Sequence, residues 1–265
     1  MRKVTARTDA SAARHLTRWL APILLALALL SGWEAVVRLY AIPSYLLAAP
    51  SDVARSTVAN GRLLAHAAGV TATEAVLGYA VSVAAALVIA TALQFSPVLR
   101  QALVPLLVLT QTVPTVVFAP LLTIALGYSL APKVATVAIV CFFPIVVNAV
   151  DGFAAVDARK LELMQALAAG RFDQFRLLIF PAALPAIFSG ARVAATYAAI
   201  GAVFAEWSGS SAGLGFLILQ SEPTLDTSRI FAAIVLLSLI ALALYGLVKA
   251  AERILTPPKG IVGRD

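Results

Sequence analysis

One cysteine and two histidines in 265 residues leave little material for several kinds of chemistry. Cys141 stands alone within VAIVCFFPIVV, which excludes a disulfide framework and places it as a small residue in an apolar core. His15 and His66 lie far apart with no cysteine near either, so both read as solvent or interface histidines. The chain has no CxxC, no HExxH, no nucleophile elbow and no Walker A loop, and therefore no compact constellation that marks an enzyme. Charge is scarce as well, at 12% against 61% hydrophobic residues, which excludes an ordinary soluble composition. The net charge of +7 comes from basic residues scattered singly, without aromatic interleaving. That pattern excludes a nucleic-acid surface and suits membrane lipids with anionic headgroups. The expected class is an all-α integral membrane protein.

A membrane helix needs roughly 20 residues to cross a core about 30 Å thick. Six segments approach that length: 19–37, 71–93, 98–118, 134–150, 182–205 and 230–248. Six spans with a cytoplasmic N-terminus put fourteen basic residues inside and five outside, with Arg192 inside a span. That bias sets both termini in the cytoplasm. The basic start and the small residues Ala48 and Ala49 also fit a signal peptide. Removing the first span, however, would put the other five out of register with the basic C-terminus. The expected organisation is a tail over 1–18, one transmembrane domain over 19–249 with a cytoplasmic loop at 151–181, and a second tail over 250–265. Between the first two spans, Pro50 with Ser51 and Asp52 predicts the start of a surface helix near 51–64, its polar side chains capping free N–H groups.

Pro105, Pro114 and Pro144 fall in or at the third and fourth spans and predict bent or broken helices. Polar side chains sit beside them, Gln111, Thr115 and Asn148 foremost. They read either as interhelical hydrogen bonds or as the lining of a pathway. Arg192 reads as an anchor whose long stem returns its charge to the inner headgroups. The fifth span is rich in glycine and alanine, so it can form a tight bundle or a subunit seam. In EWSGSSAGLGFLILQ, Gly209, Gly213 and Gly215 permit bends that a helix resists, which makes this stretch either a gate at the outer mouth or an irregular loop.

The one long interior block with charges of both signs is KLELMQALAAGRFDQFRLLIFPAALP, Lys160 to Pro185. Asp157 can cap a first short helix on which Leu161 and Met164 share a side. Gly170 offers a break, Phe172, Phe175 and Ile179 line a second short helix, and Pro181 leads into the fifth span. Mixed charge with exposed Leu161 and Met164 suits docking on another protein, while the plainer reading is a solvated connector.

At these residues the chain resembles the inner-membrane permease subunits of ATP-binding cassette importers. The family's loop carries Glu-Ala-Ala, three variable residues and Gly, then an apolar run ending in Pro; here stand MQALAAG and LLIFP. Ala166 and Gly170 match, Met164 and Gln165 depart, and Glu162 supplies an acidic group two residues earlier. FPAALPAIFSGARVAATYAAIGAVFAEWSGSSAGLG resembles the branch that handles nitrate, sulfonates, taurine and pyrimidine precursors of thiamine, with riboflavin-type importers nearby. The resemblance implies a MetI-like permease fold of six transmembrane helices with a coupling-helix loop, in a bacterial inner membrane. It implies a second permease copy, a cytoplasmic ATPase dimer that holds the ATP and Mg, and an extracytoplasmic solute-binding protein; this chain carries no cofactor. By carry-over, Asp157, Leu161, Glu162, Met164, Ala166, Gly170 and Phe172 belong to the ATPase-docking region, and Gly190 and Arg192 to the inner part of the next span. The expected function is uptake of a hydroxymethyl- or aminopyrimidine by alternating access. A riboflavin, taurine, sulfonate or nitrate permease is the alternative within the family, and a self-powered secondary transporter the alternative outside it.

Overall fold

The structure, a computed structural model, describes residues 5–110 and 112–256, with side chains from Leu20 onward apart from those of Val108 and Thr110. Every regular element among the described residues is helical: α1 (Thr5–Leu39), α2 (Pro50–Ala59), α3 (Gly61–Phe95), α4 (Pro97–Thr110), α5 (Phe118–Leu126), α6 (Leu130–Ala154), α7 (Ala158–Ala166), α8 (Arg171–Gln174), α9 (Phe180–Trp207), α10 (Leu214–Ser221) and α11 (Thr227–Leu255). Five stretches are long and apolar enough to cross a membrane: Leu20–Leu39, Gly61–Phe95, Leu130–Ala154, Arg171–Trp207 and Thr227–Leu255. The expected third span over 98–118 is replaced by two short helices. α4 ends at Thr110, Pro114 stands in extended backbone, and a 3-10 turn at Thr115–Val117 starts α5, which runs on to Leu126. Pro114 has no N–H to offer a preceding carbonyl, so the helix stops there, whereas Pro105 and Pro144 are carried inside α4 and α6. All-α architecture with six apolar elements stands, with one of the six broken.

The chain forms two compact units. The first comprises the described part of Met1–Gly61 with Ser221–Ala232. Its predicted surface helix is shorter than expected, because α2 ends at Ala59 and the residues from Gly61 onward belong to α3. The cap is also different. Ala49 occupies the N-cap without a side-chain bond, and Glu34 of α1 does the capping instead: its Oε2 accepts from Ser51 N at 2.9 Å and its Oε1 from Ser51 Oγ at 2.8 Å. Arg38 bridges Glu34 and Asp52, at 3.0 and 3.2 Å. A carboxylate at a helix N-terminus meets both free N–H groups and the positive end of the dipole. Thr227 Oγ1 donates to the Tyr45 carbonyl at 2.7 Å, and Trp33 packs on Phe231.

The second unit, Arg62–Gln220 with the described part of Ala233–Asp265, has its core where α6 meets α9. Helices in lipid gain little from burying oil against oil, so they associate by close approach of backbones. Glycine and alanine make that approach here. A Cβ on Gly190 would stand 2.4 Å from the Pro144 carbonyl oxygen, and one on Gly152 would stand 2.8 Å from Ala186 Cβ. The small-residue stripe of the fifth span, Ala183 through Ala202, is therefore used inside this chain, against α6. Cys141 is buried in that seam and its thiol donates to the Ala194 carbonyl, as its apolar setting predicts.

Candidate functional site

The mixed-charge block forms an exposed turn of helix between α6 and α9. Asp157 caps it as expected, its Oδ1 accepting from Arg159 N at 3.0 Å. α7 then ends in a Schellman motif: Ala169 N donates to Met164 O and Ala168 N to Gln165 O, both at 2.9 Å. The motif needs a left-handed residue, and Ala168 supplies it at φ 58°. Gly170, expected as the flexible break, has φ −66° and ψ 164° and is the N-cap of α8, where a Cβ would meet Asp173 only at 3.7 Å. The left-handed residue thus falls two positions before Gly170, because helix periodicity does not reveal which residue of a C-terminal cap turns left-handed.

The apolar face of this turn also differs from expectation. Leu161 is half-buried and packed on the core, and Met164 is half-buried too. Leu163 and Leu167 are 61% and 71% exposed, and Phe172 is 63% exposed. Leu163 and Leu167 are four apart, so they share one helical side, turned by roughly 110° from the one that carries Leu161 and Met164. Glu162 and Ala166 are exposed beside them. Phe172 separates from its expected companions. Phe175 packs inward among Phe95, Phe153 and Phe180 with centroids 5.2 to 5.8 Å apart, and Ile179 is buried. From α8 the backbone continues through a π-helical stretch, Phe175–Ile179, straight into α9. Pro181 lacks the N–H of an ordinary helical turn, and the helix widens just before it.

A cavity of about 390 Å³ opens where α3, α4, the start of α5 and α6 come together, lined among others by Ser82, Leu107, Thr115, Phe118, Phe142 and Phe143. Thr115, one of the expected pathway residues, lies on its wall. Gln111 lies outside the described residues. Asn148 does not line this cavity; its amide donates to the Pro144 carbonyl at 2.8 Å, and its Cβ lies beneath Gly190.

The glycine-rich stretch after α9 is ordered around Glu206, which no motif in the sequence marks. Glu206 is 1% exposed, and its carboxylate gathers donors from two directions. Oε2 accepts from Gly215 N at 2.5 Å and Phe216 N at 3.1 Å, which caps α10, and Oε1 accepts from Thr71 Oγ1 of α3 at 2.5 Å. Thr71 Oγ1 in turn accepts from Leu214 N at 2.8 Å. Gly213, at φ 120°, lets the chain pass so close that a Cβ there would stand 2.2 Å from Glu206 Cδ. Gly209, at φ 139°, abuts the Tyr128 ring, and Gly215 abuts Val203. Beside this clasp, Lys133 Nζ binds the buried Glu74 carboxylate at 2.8 Å and Ser210 Oγ at 2.7 Å. The only sequence signal for the clasp was an acid at the end of an apolar span followed by three glycines. Arg192 is ion-paired with Glu252, a partner that spacing along the chain does not reveal.

The model of the family described as "Binding-protein-dependent transport system inner membrane component" matches residues 78–257. A "Probable ABC transporter permease protein" of Haemophilus influenzae is 35% identical over 231 residues, covering 86% of this chain and 93% of its own. The formylaminopyrimidine transport permease protein ThiX of Halalkalibacterium halodurans is 32% identical, covering 90% of this chain and 95% of its own. The riboflavin transport system permease protein RibX of Chloroflexus aurantiacus is 34% identical, over 86% and 85%. In fold, a chain of the inward-facing MetNI methionine ABC transporter superposes with a TM-score of 0.59 at 15% identity, over 71% of this chain and 95% of that one.

Proposed function

The chain belongs to the family of binding-protein-dependent transport system inner membrane components, and from that premise we propose that it forms the membrane pathway of an ATP-driven importer for a hydroxymethyl- or aminopyrimidine precursor of thiamine. As a multi-pass permease subunit it catalyses no reaction itself. Its partners on this reading are a cytoplasmic ATPase dimer, a second copy of the same chain and an extracytoplasmic binding protein. Both termini and the 151–181 loop face the cytoplasm, in keeping with the distribution of basic residues. ATP binding closes the ATPase pair, the exposed turn carries that motion into α9, and the pathway alternates its access.

The observation that carries this reading is the exposure of Leu163, Leu167 and Phe172 on two short helices that lead into a membrane-length helix. An apolar side left bare on a short cytoplasmic helix is what a groove on a motor subunit would cover. The pyrimidine assignment draws on the likeness to the formylaminopyrimidine permease; riboflavin is the second reading, from the likeness to RibX. The test is uptake of labelled formylaminopyrimidine by cells carrying the whole transporter, with Leu163→Asp/Leu167→Asp as the variant. The variant should reach the membrane at the parent level, fail to retain the ATPase on purification and lose uptake. Full uptake without any ATPase, driven by an ion gradient, would establish the secondary transporter instead.

A further inference from the structure

Three ionisable side chains meet where the clasp is built: Glu74 of α3, Lys133 of α6 and Glu206 of α9. Glu74 and Glu206 are each 1% exposed, and the Lys133 side chain is 16% exposed. Two links hold the carboxyl groups side by side. Thr71, whose hydroxyl stands 2.5 Å from Glu206 Oε1, is three residues before Glu74 on α3, so the two side chains are neighbours on one helical face. Lys133 Nζ reaches Glu74 Oε1 at 2.8 Å and, at 2.7 Å, the hydroxyl of Ser210, whose N–H bonds the Glu206 carbonyl. Glu206 accordingly lies within hydrogen-bond reach of Glu74. Among the described residues, Lys133 and Glu206 are the charged groups that act on Glu74, and Glu74 is the one that acts on Glu206.

Hydrogen-bond donors are unevenly divided between the two. Glu206 is met by Gly215 N and Phe216 N on Oε2 and by the Thr71 hydroxyl on Oε1. Glu74 has Lys133 on Oε1, while its buried Oε2 has no donor. Two anions would not keep this arrangement, because like charges repel strongly in a dry site and a buried carboxylate oxygen without a donor has lost its water for nothing. One lysine balances one negative charge, not two. A single hydrogen on Glu74 Oε2 answers both difficulties: the empty acceptor becomes a donor aimed at Glu206, and the three groups together become neutral. We propose that Glu74 and Glu206 form a proton-binding site, in which one proton is carried on Glu74 Oε2, is shared with the Glu206 carboxylate and ties α3 to α9. A proton needs no cavity, and the site is independent of which substrate the chain carries. Its loss sets two anions face to face across the contact of α3 with α9, so the clasp loosens as pH rises. The unfolded chain exposes both carboxyl groups to water and releases the proton; folding therefore takes one up, and stability falls with rising pH.

The test is infrared spectroscopy and thermal melting of the full chain in maltoside detergent micelles, whose molecules carry no carbonyl group, on the parent, Glu74→Gln and Glu206→Gln. At neutral pH the parent should show the C=O stretch of a protonated carboxyl, shifted on exchange into D₂O. Both variants should lose that band. Glu74→Gln removes the atom that carries the proton, and in Glu206→Gln the Glu74 carboxyl faces an uncharged amide and ionises against Lys133. At about pH 6 Glu74→Gln should melt with the parent, because its amide donates to Glu206 and accepts from Lys133 as the protonated acid does. From there to about pH 8 the parent's unfolding equilibrium should shift by up to roughly tenfold per pH unit more than the variant's. Absence of the band in the parent, or its persistence in either variant, overturns the shared site. A Glu74→Gln protein that melts far below the parent, with the same pH dependence, overturns it too and leaves Glu74 an ordinary ion-pair partner of Lys133. Should Glu74→Gln fail to fold, the band in the parent and its loss in Glu206→Gln decide by themselves.

Discussion

Replacing Glu206 should show how much of the 208–216 stretch depends on one carboxylate. In Glu206→Ala the Thr71 hydroxyl can give its one proton to the Ala67 carbonyl, 3.1 Å away, but Gly215 N and Phe216 N lose their acceptor. Two orphaned N–H groups at about 1–3 kcal/mol each give a loss of about 2–6 kcal/mol. Glu206→Gln should cost far less. Its amide oxygen can take the two backbone N–H groups, while its NH₂ donates to Thr71 Oγ1, which still accepts from Leu214 N and donates to Ala67 O. What remains lost is the charge-assisted strength of those bonds, about 1 kcal/mol. Gly213→Ala should resemble Glu206→Ala, because a Cβ would meet the carboxylate at 2.2–2.4 Å on a backbone with φ 120°. The reporter is close at hand: Trp207 Nε1 donates to the Gly215 carbonyl at 3.0 Å, so its fluorescence should follow the loosening of this stretch. Thermal melts of purified protein, read at Trp207, should rank the parent and Glu206→Gln together and well above Glu206→Ala and Gly213→Ala. If Glu206→Ala and Glu206→Gln melt at the same temperature, acceptor geometry does not hold the clasp and the reasoning is wrong.

Lys133→Ala leaves the Glu74 carboxylate, 1% exposed, without its counter-charge. Losing one partner of a buried pair costs about 3–5 kcal/mol, and the double variant with Glu74→Gln should recover most of the lost melting temperature. At the exposed turn, Ala168→Gly should stabilise the local cap by about 1 kcal/mol, since φ 58° suits glycine, and hydrogen exchange at Ala169 N should slow. Gly170→Ala has room within the chain and should leave the melting temperature unchanged. A loss of uptake in Gly170→Ala with folding intact would therefore locate the glycine requirement in the docked ATPase, and normal uptake in Gly170→Trp would count against docking there.

What the sequence made legible was whatever depends on neighbours along the chain. Hydropathy and length located the five long apolar helices, and Pro114 announced the broken one, because a missing N–H acts within a single turn. Asp157 as a cap is equally local, since a carboxylate bonds an N–H two residues on. Two of the corrections involve partners brought from elsewhere. α2 takes its cap from Glu34 on α1 rather than from its own Ser51 and Asp52, and the glycines after α9 are shaped by Glu206 together with Thr71, 135 residues away. Leu161 and Met164 look exposed from the sequence because their helix is short and lies among charges. Only the packing of α7 on the core shows that Leu163 and Leu167 are the outward pair. Asn148 is polar inside a span, which suits a pathway wall, yet a polar side chain in lipid can equally satisfy a nearby carbonyl, as this one does at Pro144.

The exposed turn and the Glu206 clasp are joined by one run of helix. Arg171–Trp207 is 37 residues long, about 55 Å at 1.5 Å per residue, with Phe172 near one end and Glu206 near the other. Along its length it sits on α6 at Gly152, Gly190 and Gly201, where contacts of backbone on backbone leave no slack for a local bend. Its one irregular stretch, Phe175–Ile179, is pinned by the Phe175 ring between Phe95, Phe153 and Phe180. On the proposed reading, a push delivered at Leu163, Leu167 and Phe172 cannot be absorbed within the helix and must displace α6 and α9 as a pair. The cavity that holds Ser82 has Phe142 and Phe143 of α6 on one wall and Ser82 of α3 on another. A displacement of the α6–α9 pair relative to α3 would then change the width of that cavity and strain the Thr71–Glu206 bond in the same movement, so one rigid lever reaches both the cavity and the clasp.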